Sequence, residues 1–220
     1  FWLPLHSQSP SLDSVSPKER EAAVQQMAVL GNRAAIPMLA EALKKEPKSE
    51  LRAMIVGALG RIRDPEAVPV LATTLRTDLD KDVRSQAIDS LLRLYIAIED
   101  SGPIRTIFNR VKSVFLAPDA PGVDPGTDVD AATKEALAKA VQLDTDDEVR
   151  AEAARALGSL KARDQLPALI ATLENPQNRD HRNVRIEIIR SLGSLRDPAA
   201  GPALERSLRD PNRQIVEGAI

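Results

Sequence analysis

One twelve-residue stretch, Val149 to Leu160, limits what this chain can fold into more than any other feature. It reads V-R-A-E-A-A-R-A-L-G-S-L and returns from Val184 to Leu195 as V-R-I-E-I-I-R-S-L-G-S-L. Looser copies run from Leu51 to Ile62 and from Val83 to Leu94. The hydrophobic–arginine step falls at Leu51-Arg52, Val83-Arg84, Val149-Arg150 and Val184-Arg185, with Ile215 as a last echo. The intervals are 32, 66, 35 and 31 residues. A second helical pattern follows each copy, with apolar residues four apart on one face, as in Leu39 and Leu43, Leu71 and Leu75, and Leu204 and Leu208. Helix pairs at such a period bury their apolar faces only by stacking on their neighbours.

The interval of 66 is twice 33, which suggests a hidden repeat. The second-helix signature says otherwise. Leu75 precedes Val83 by eight residues, and Val141 precedes Val149 by eight. Ala131 to Gln142 is therefore the second helix belonging to the Val83 helix, and about 33 extra residues are spliced into the elbow between them. The predicted fold is all-α: a right-handed α-solenoid of about five helix pairs and the start of a sixth. It divides into a tail over 1–15 and a repeat domain over 16–220 with an insertion at about 96–129. Because Ile220 falls inside a helical pattern, the repeats are expected to continue beyond it.

Punctuation agrees with the pairs. Ser16-Pro17, Asp64-Pro65 and Asp197-Pro198 read as helix starts. Gly31, Gly60 and Gly158 read as left-handed stops, and Gly193 holds the same place in its unit. Pro37, Pro69, Pro167 and Pro202 each stand two residues before a second-helix leucine, and the hydrogen bond each removes should bend its helix slightly.

The V-R-x-x-A-x-x-x-L-G core with the following P-x-L-x-x-x-L resembles the short HEAT-like repeats of the phycobilisome-lyase type. The resemblance covers about 170 of the 220 residues. The third pair departs from it, with Leu92 in the glycine position and Glu135 in the proline position. Lyase chemistry, the attachment of a bilin, is implied only by that family label. Some HEAT-like enzymes bind iron through His-Glu steps on their helices, and this sequence contains no His-Glu step.

Charge and composition narrow the function. The 30 basic and 32 acidic residues nearly cancel, so no global field draws nucleic acid. Without cysteine there is no disulfide framework or thiolate chemistry. The recurring Arg52, Arg84, Arg150 and Arg185 read as structural, each pairing with acids such as Asp82, Asp147 or Glu148. Asp144 to Glu148 lacks the spacing of a calcium loop and reads as a helix-capping cluster. His6 and His181 lie far apart in sequence. No catalytic residue, cofactor or metal is expected, and the chain reads as a non-enzymatic scaffold for a protein or peptide partner. The alternative of another class is an accessory or catalytic module of an enzyme, its active residues beyond Ile220 or on the second helices.

The insertion stands apart. Ile104, Ile107, Phe108, Val111, Val114 and Phe115 form one apolar stripe of a helix, and Arg105, Arg110 and Lys112 lie on its other face without an acid. The chain's five aromatics (Phe1, Trp2, Tyr95, Phe108 and Phe115) all lie in the tail, the insertion or its edge. Lengthening that elbow from about five residues to about 38 costs roughly 2 kcal/mol of closure entropy. Burying two phenylalanines and several aliphatics offsets this severalfold. One reading packs the helix back on the solenoid. The other offers Tyr95, Ile104, Arg105, Phe108, Arg110, Lys112 and Phe115 to a partner helix or a membrane surface. At the N-terminus, Phe1-Trp2-Leu3-Pro4-Leu5 reads as the end of a signal peptide, as a membrane-anchor edge, or as a tail docking Trp2 on the first helices. Export, periplasmic or membrane-anchored, is favoured over a cytoplasmic site.

Overall fold

The computed structural model describes residues 11–96, 123–124 and 126–219. Its α-helices are α1 (Pro17–Leu30), α2 (Ala35–Lys45), α3 (Ser49–Ile62), α4 (Val68–Thr77), α5 (Lys81–Arg93) and α6 (Ala131–Leu143). The remainder are α7 (Asp147–Ser159), α8 (Leu166–Glu174), α9 (Arg182–Leu195), α10 (Gly201–Ser207) and α11 (Arg213–Gly218). No strand occurs among the described residues.

The odd-numbered helices up to α5, then α7, α9 and α11, pack each on the next as one layer. Each second helix packs on the first helix of the following pair: α2 on α3, α4 on α5, α6 on α7 and α8 on α9. In the second layer α6 lies between α4 and α8, so it fills the second-helix place of the third pair. The architecture is an all-α solenoid. Its core repeats with the unit: Leu59, Leu91, Leu157 and Leu192 from the first helices meet Leu39, Leu71, Leu137 and Leu169 from the second, all fully buried. Truncating one such leucine to alanine costs about 2–5 kcal/mol.

Arginine rungs run along the edge where second helices end. Arg52 Nε and Nη2 each donate to the Asp78 carboxylate at 2.8 Å, while Nη1 donates to the Pro47 carbonyl at 3.1 Å. Arg84 repeats this with Asp144 at 2.8 Å and the Asp78 carbonyl at 2.9 Å. Arg20 does the same with Glu46, and Arg185 pairs with Asp210. The acid closes the second helix of the arginine's own pair, and the carbonyls belong to the loop before its own helix. Each rung therefore ties two neighbouring pairs. Burial alone would push the Asp78 carboxyl up; the Arg52 guanidinium and the Asp80 amide outweigh it and hold it below the ordinary carboxylate range. Arg150 departs from the series. It donates to the Val141 carbonyl at 3.0 Å and to the Asn178 side chain, whose own amide donates to the Thr172 carbonyl at 2.6 Å.

Two sequence expectations need correction. Gly31 ends α1 with φ +59°, but Gly60, Gly158 and Gly193 lie inside helices that run on past them. The left-handed residues at those elbows are Arg63, Lys161 and Arg196, with φ of 54°, 53° and 49°. The side chains of Arg63 and Lys161 reach the next pair: Arg63 Nη2 donates to the Ile96 carbonyl at 3.4 Å and Lys161 Nζ to the Ser194 carbonyl at 2.8 Å. Nor do the prolines take a hydrogen bond from the second helices. Pro69, Pro167 and Pro202 stand in the first turns of α4, α8 and α10, where their missing amide had no intrahelical acceptor to lose.

Candidate functional site

In the unit V-R-x-E-x-x-R the fourth and seventh residues are three apart, which places them on one face of the helix. They are Gln86 and Asp89 on α5, Glu152 and Arg155 on α7, and Glu187 and Arg190 on α9. Arg155 Nε donates to Glu187 Oε2 at 3.1 Å across the step from α7 to α9. Arg190 Nη1 donates to Glu187 Oε1 at 2.7 Å from the same helix. Glu187 is only 8% exposed, and it pairs with two guanidiniums. These residues form a polar row on the first-helix layer. Between α5 and α7 the row opens into a narrow notch, rimmed by Asp89, Glu152, Arg155 and Ser159 over Ile88, Leu92 and Ala156.

The second feature is the neck of the third elbow. Asp130 caps α6, its side chain accepting from the amides of Ala132 and Thr133. The Tyr95 hydroxyl lies 3.2 Å from Thr133 Oγ1 and accepts from the Asp130 amide at 3.3 Å. One half-buried side chain thus joins the outgoing chain to the returning chain. Between those points, the Val123 amide donates to the Ser159 carbonyl at 3.1 Å, tying the connection to the end of α7. Arg93, beside the neck, is 2% exposed, the most deeply buried charge among the described residues.

Of the seven residues the sequence nominated for partner binding, Tyr95 lies at this neck. Ile104, Arg105, Phe108, Arg110, Lys112 and Phe115 lie outside the described residues. The polar row is what sequence reasoning passed over. Its signal was present as glutamate or glutamine at the fourth position of the unit and a charge at the seventh, but attention went to the arginine at position two. The acidic run is engaged locally: Asp146 caps α7 through the amides of Glu148 and Val149, and Lys81 Nζ approaches Glu148 at 3.3 Å. His181 Nδ1 lies 2.7 Å from Asp147 Oδ2. Among the described residues no group of three or more His, Cys, Asp or Glu side chains is gathered to hold a metal.

The HEAT-repeat family model matches residues 10–92 and 130–220, well over half of the chain. The chain belongs to the HEAT-repeat family. The stretch between the two matches contains the long connection of the third elbow. No curated protein matches the sequence significantly. Among solved structures, human deoxyhypusine hydroxylase is similar at 23% identity and a TM-score of 0.39, over 96% of this chain and 80% of that one. The complex of CpcE and CpcF of phycocyanin lyase from Nostoc is similar at 22% identity and a TM-score of 0.48, over 94% and 71%. The protein YibA from Escherichia coli gives 20% and 0.33, over 94% and 88%. The expectation of a non-enzymatic chain is corrected by the first two, which are structures of enzymes. A stack of HEAT repeats does not separate binding scaffold from enzyme. Among the described residues, no helix is long and apolar enough to cross a membrane.

Proposed function

We propose that this HEAT-repeat scaffold holds a protein or peptide partner along a polar row on its first-helix layer, beside the third elbow. The observation that carries the reading is the polar row. Gln86, Asp89, Glu152, Arg155, Glu187 and Arg190 recur at one register across three successive pairs, at the spacing of the repeat. Its accessible members, Asp89, Glu152, Arg155 and Arg190, offer carboxylate and guanidinium groups to an extended ligand, as solenoid binding faces do, while the buried Glu187 braces Arg155 and Arg190. The notch between α5 and α7 adds an apolar floor within a polar rim, next to the neck where the 96–129 insertion leaves and returns. Repeat positions that only stack tend toward Ala, Leu and Gly; this row stays polar instead, and the buried Glu187 pairs with two guanidiniums.

Affinity capture from native extract, quantified against matched variants, tests this. The double variant Asp89→Ala and Arg190→Ala should lose the enriched partner at least tenfold, about 1.4 kcal/mol. A control pair on the second layer, Thr73→Ala and Lys139→Ala, should retain it. Equal retention by both variants, or loss only in the control, removes the polar row from the proposal.

A further inference from the structure

The steps of the stack are not equivalent, and two of them carry a lock. Between α3 and α5, a Cβ added to Gly60 would lie 2.7 Å from Ser90 Cα, and Ser90 Oγ donates to the Val56 carbonyl at 2.9 Å. Between α7 and α9 the same device recurs. A Cβ on Gly158 would lie 3.1 Å from Ser191 Cα, and the Ser191 hydroxyl lies 2.7 Å from the Ala154 carbonyl across the step and 2.7 Å from the Glu187 carbonyl of its own helix. Glycine lets two helices approach until a serine hydroxyl bridges them, and close-packed surfaces joined by a buried hydrogen bond resist sliding.

The step from α5 to α7 has lost both halves. Leu92 stands in the glycine position, and Ala156 stands in the serine position. Leucine holds the two helices apart, and alanine has no hydroxyl to donate. The consequence is visible in three places. α5 packs on α7 far less extensively than α3 on α5 or α7 on α9. The notch lined by Ile88, Leu92 and Ala156 opens at this step. The second layer holds this step, through α6 on α7 and the buried bond from Arg150 Nε to the Val141 carbonyl at 3.0 Å, while half-exposed pairs cross its edge: Lys81 to Asp146 at 3.7 Å and to Glu148 at 3.3 Å. Exposed pairs of this kind contribute little rigidity. The Val123–Ser159 backbone bond clasps the same step from the returning connection.

We infer that between its two locked steps the first-helix layer opens at a built-in joint, the step between the third and fourth helix pairs, with the second layer as the hinge line, while the locked steps on either side keep their spacing. This inference is independent of what the scaffold binds.

The chain contains no cysteine, so spin labels can be placed in pairs without background. Glu50, Asp82, Glu148 and Asn183 are equivalent exposed positions in the first turns of α3, α5, α7 and α9. Double electron–electron resonance on the pairs Glu50→Cys with Asp82→Cys, Asp82→Cys with Glu148→Cys, and Glu148→Cys with Asn183→Cys reads the three steps in turn. The middle pair should show a distance distribution about twofold broader than the outer two, and Val123→Pro, which removes the clasping amide, should broaden it further. Three distributions of equal width, or the greatest width at an outer step, would overturn the joint. Gly158→Leu combined with Ser191→Ala should transfer the breadth to the last pair; an unchanged last pair in the folded variant also counts against it.

Discussion

Gly60 and Ser90 lie so close that a methyl group on the Gly60 Cα would sit 2.7 Å from the Ser90 Cα. Backbone cannot retreat as a flexible side chain can, so α3 and α5 must separate to admit it. Gly60→Ala should cost about 1–3 kcal/mol of overpacking, offset only in part by the roughly 1 kcal/mol helix preference of alanine. Gly193 is the control. It lies in α9 with nothing within 4 Å of an added Cβ, so Gly193→Ala should raise stability by up to about 1 kcal/mol. Urea unfolding of both variants checks the pair, and a stabilised Gly60→Ala would refute the close approach.

The rungs are buried ion pairs, and removing one partner strands the other. The Arg84 and Asp144 side chains are 9% and 5% exposed. Arg84→Ala should destabilise by about 3–5 kcal/mol, because the carboxylate keeps its burial and loses its fork. Arg84→Lys should recover only part of this, since an ammonium cannot make both 2.8 Å bonds to Asp144 together with those to the Asp78 and Leu79 carbonyls. Thermal melts of the two variants give the order, and a lysine variant equal to wild type would show that charge alone matters.

Acid should loosen the stack in a defined direction. Burial raises the carboxyls of Glu46, Asp78 and Asp210, but their arginine and backbone-amide donors outweigh it, and all three are held below the ordinary range. A depressed folded-state value contributes stability that is fully present above the unfolded value of about 4 and is lost as pH falls through the folded one. The unfolding midpoint should therefore stay level from neutral pH to about 5 and drop below it. Asp78→Asn should show a shallower drop, and a midpoint that rises on acidification would contradict the rungs.

Tyr95 closes the neck with one hydroxyl. Tyr95→Phe removes the acceptor of the Asp130 amide and the partner of Thr133, and should cost about 1 kcal/mol. The loss should be local, appearing as faster amide exchange in the first turn of α6 with α3 and α9 unchanged. Uniformly faster exchange would mean that the residue supports the whole stack.

Arg196 holds a left-handed conformation at φ 49°. Glycine takes that conformation without a Cβ clash, so Arg196→Gly should stabilise by about 1 kcal/mol. The same change at Lys161 should gain less, because it also removes the 2.8 Å bond to the Ser194 carbonyl. Equal gains at both would mean that the Lys161 bond adds nothing.

Much of this architecture was legible in the chain. The unit, its phase and the assignment of Ala131 onward to the third pair follow from spacing alone, because periodicity and apolar patterning are local properties that every copy must satisfy. Of the four repeat arginines, Arg150 approaches an acid the sequence offered, Asp147 at 3.6 Å, but the partners of the others were not legible. Sequence neighbours such as Asp82 and Glu148 looked suitable, yet Arg52 meets Asp78 and Arg84 meets Asp144, at the far end of the second helix. The acid lies a whole helix away along the chain and is brought back only when the pair folds.

Val149 to Leu160 by itself determined that the protein is a stack of helix pairs, since a face that recurs at this period has nothing but its neighbours to bury against. Only the tertiary structure decided what the repeated glycine is for and where it matters. Gly60 and Gly158 read as helix stops, and they are contact points where serine from the next helix fits. Leu92 read as a departure beside an insertion, and it removes that contact from one step. The physical reason is that helix ends are marked by residues close in sequence, whereas the spacing of two helices depends on residues thirty or more apart, such as Gly60 and Ser90 or Gly158 and Ser191.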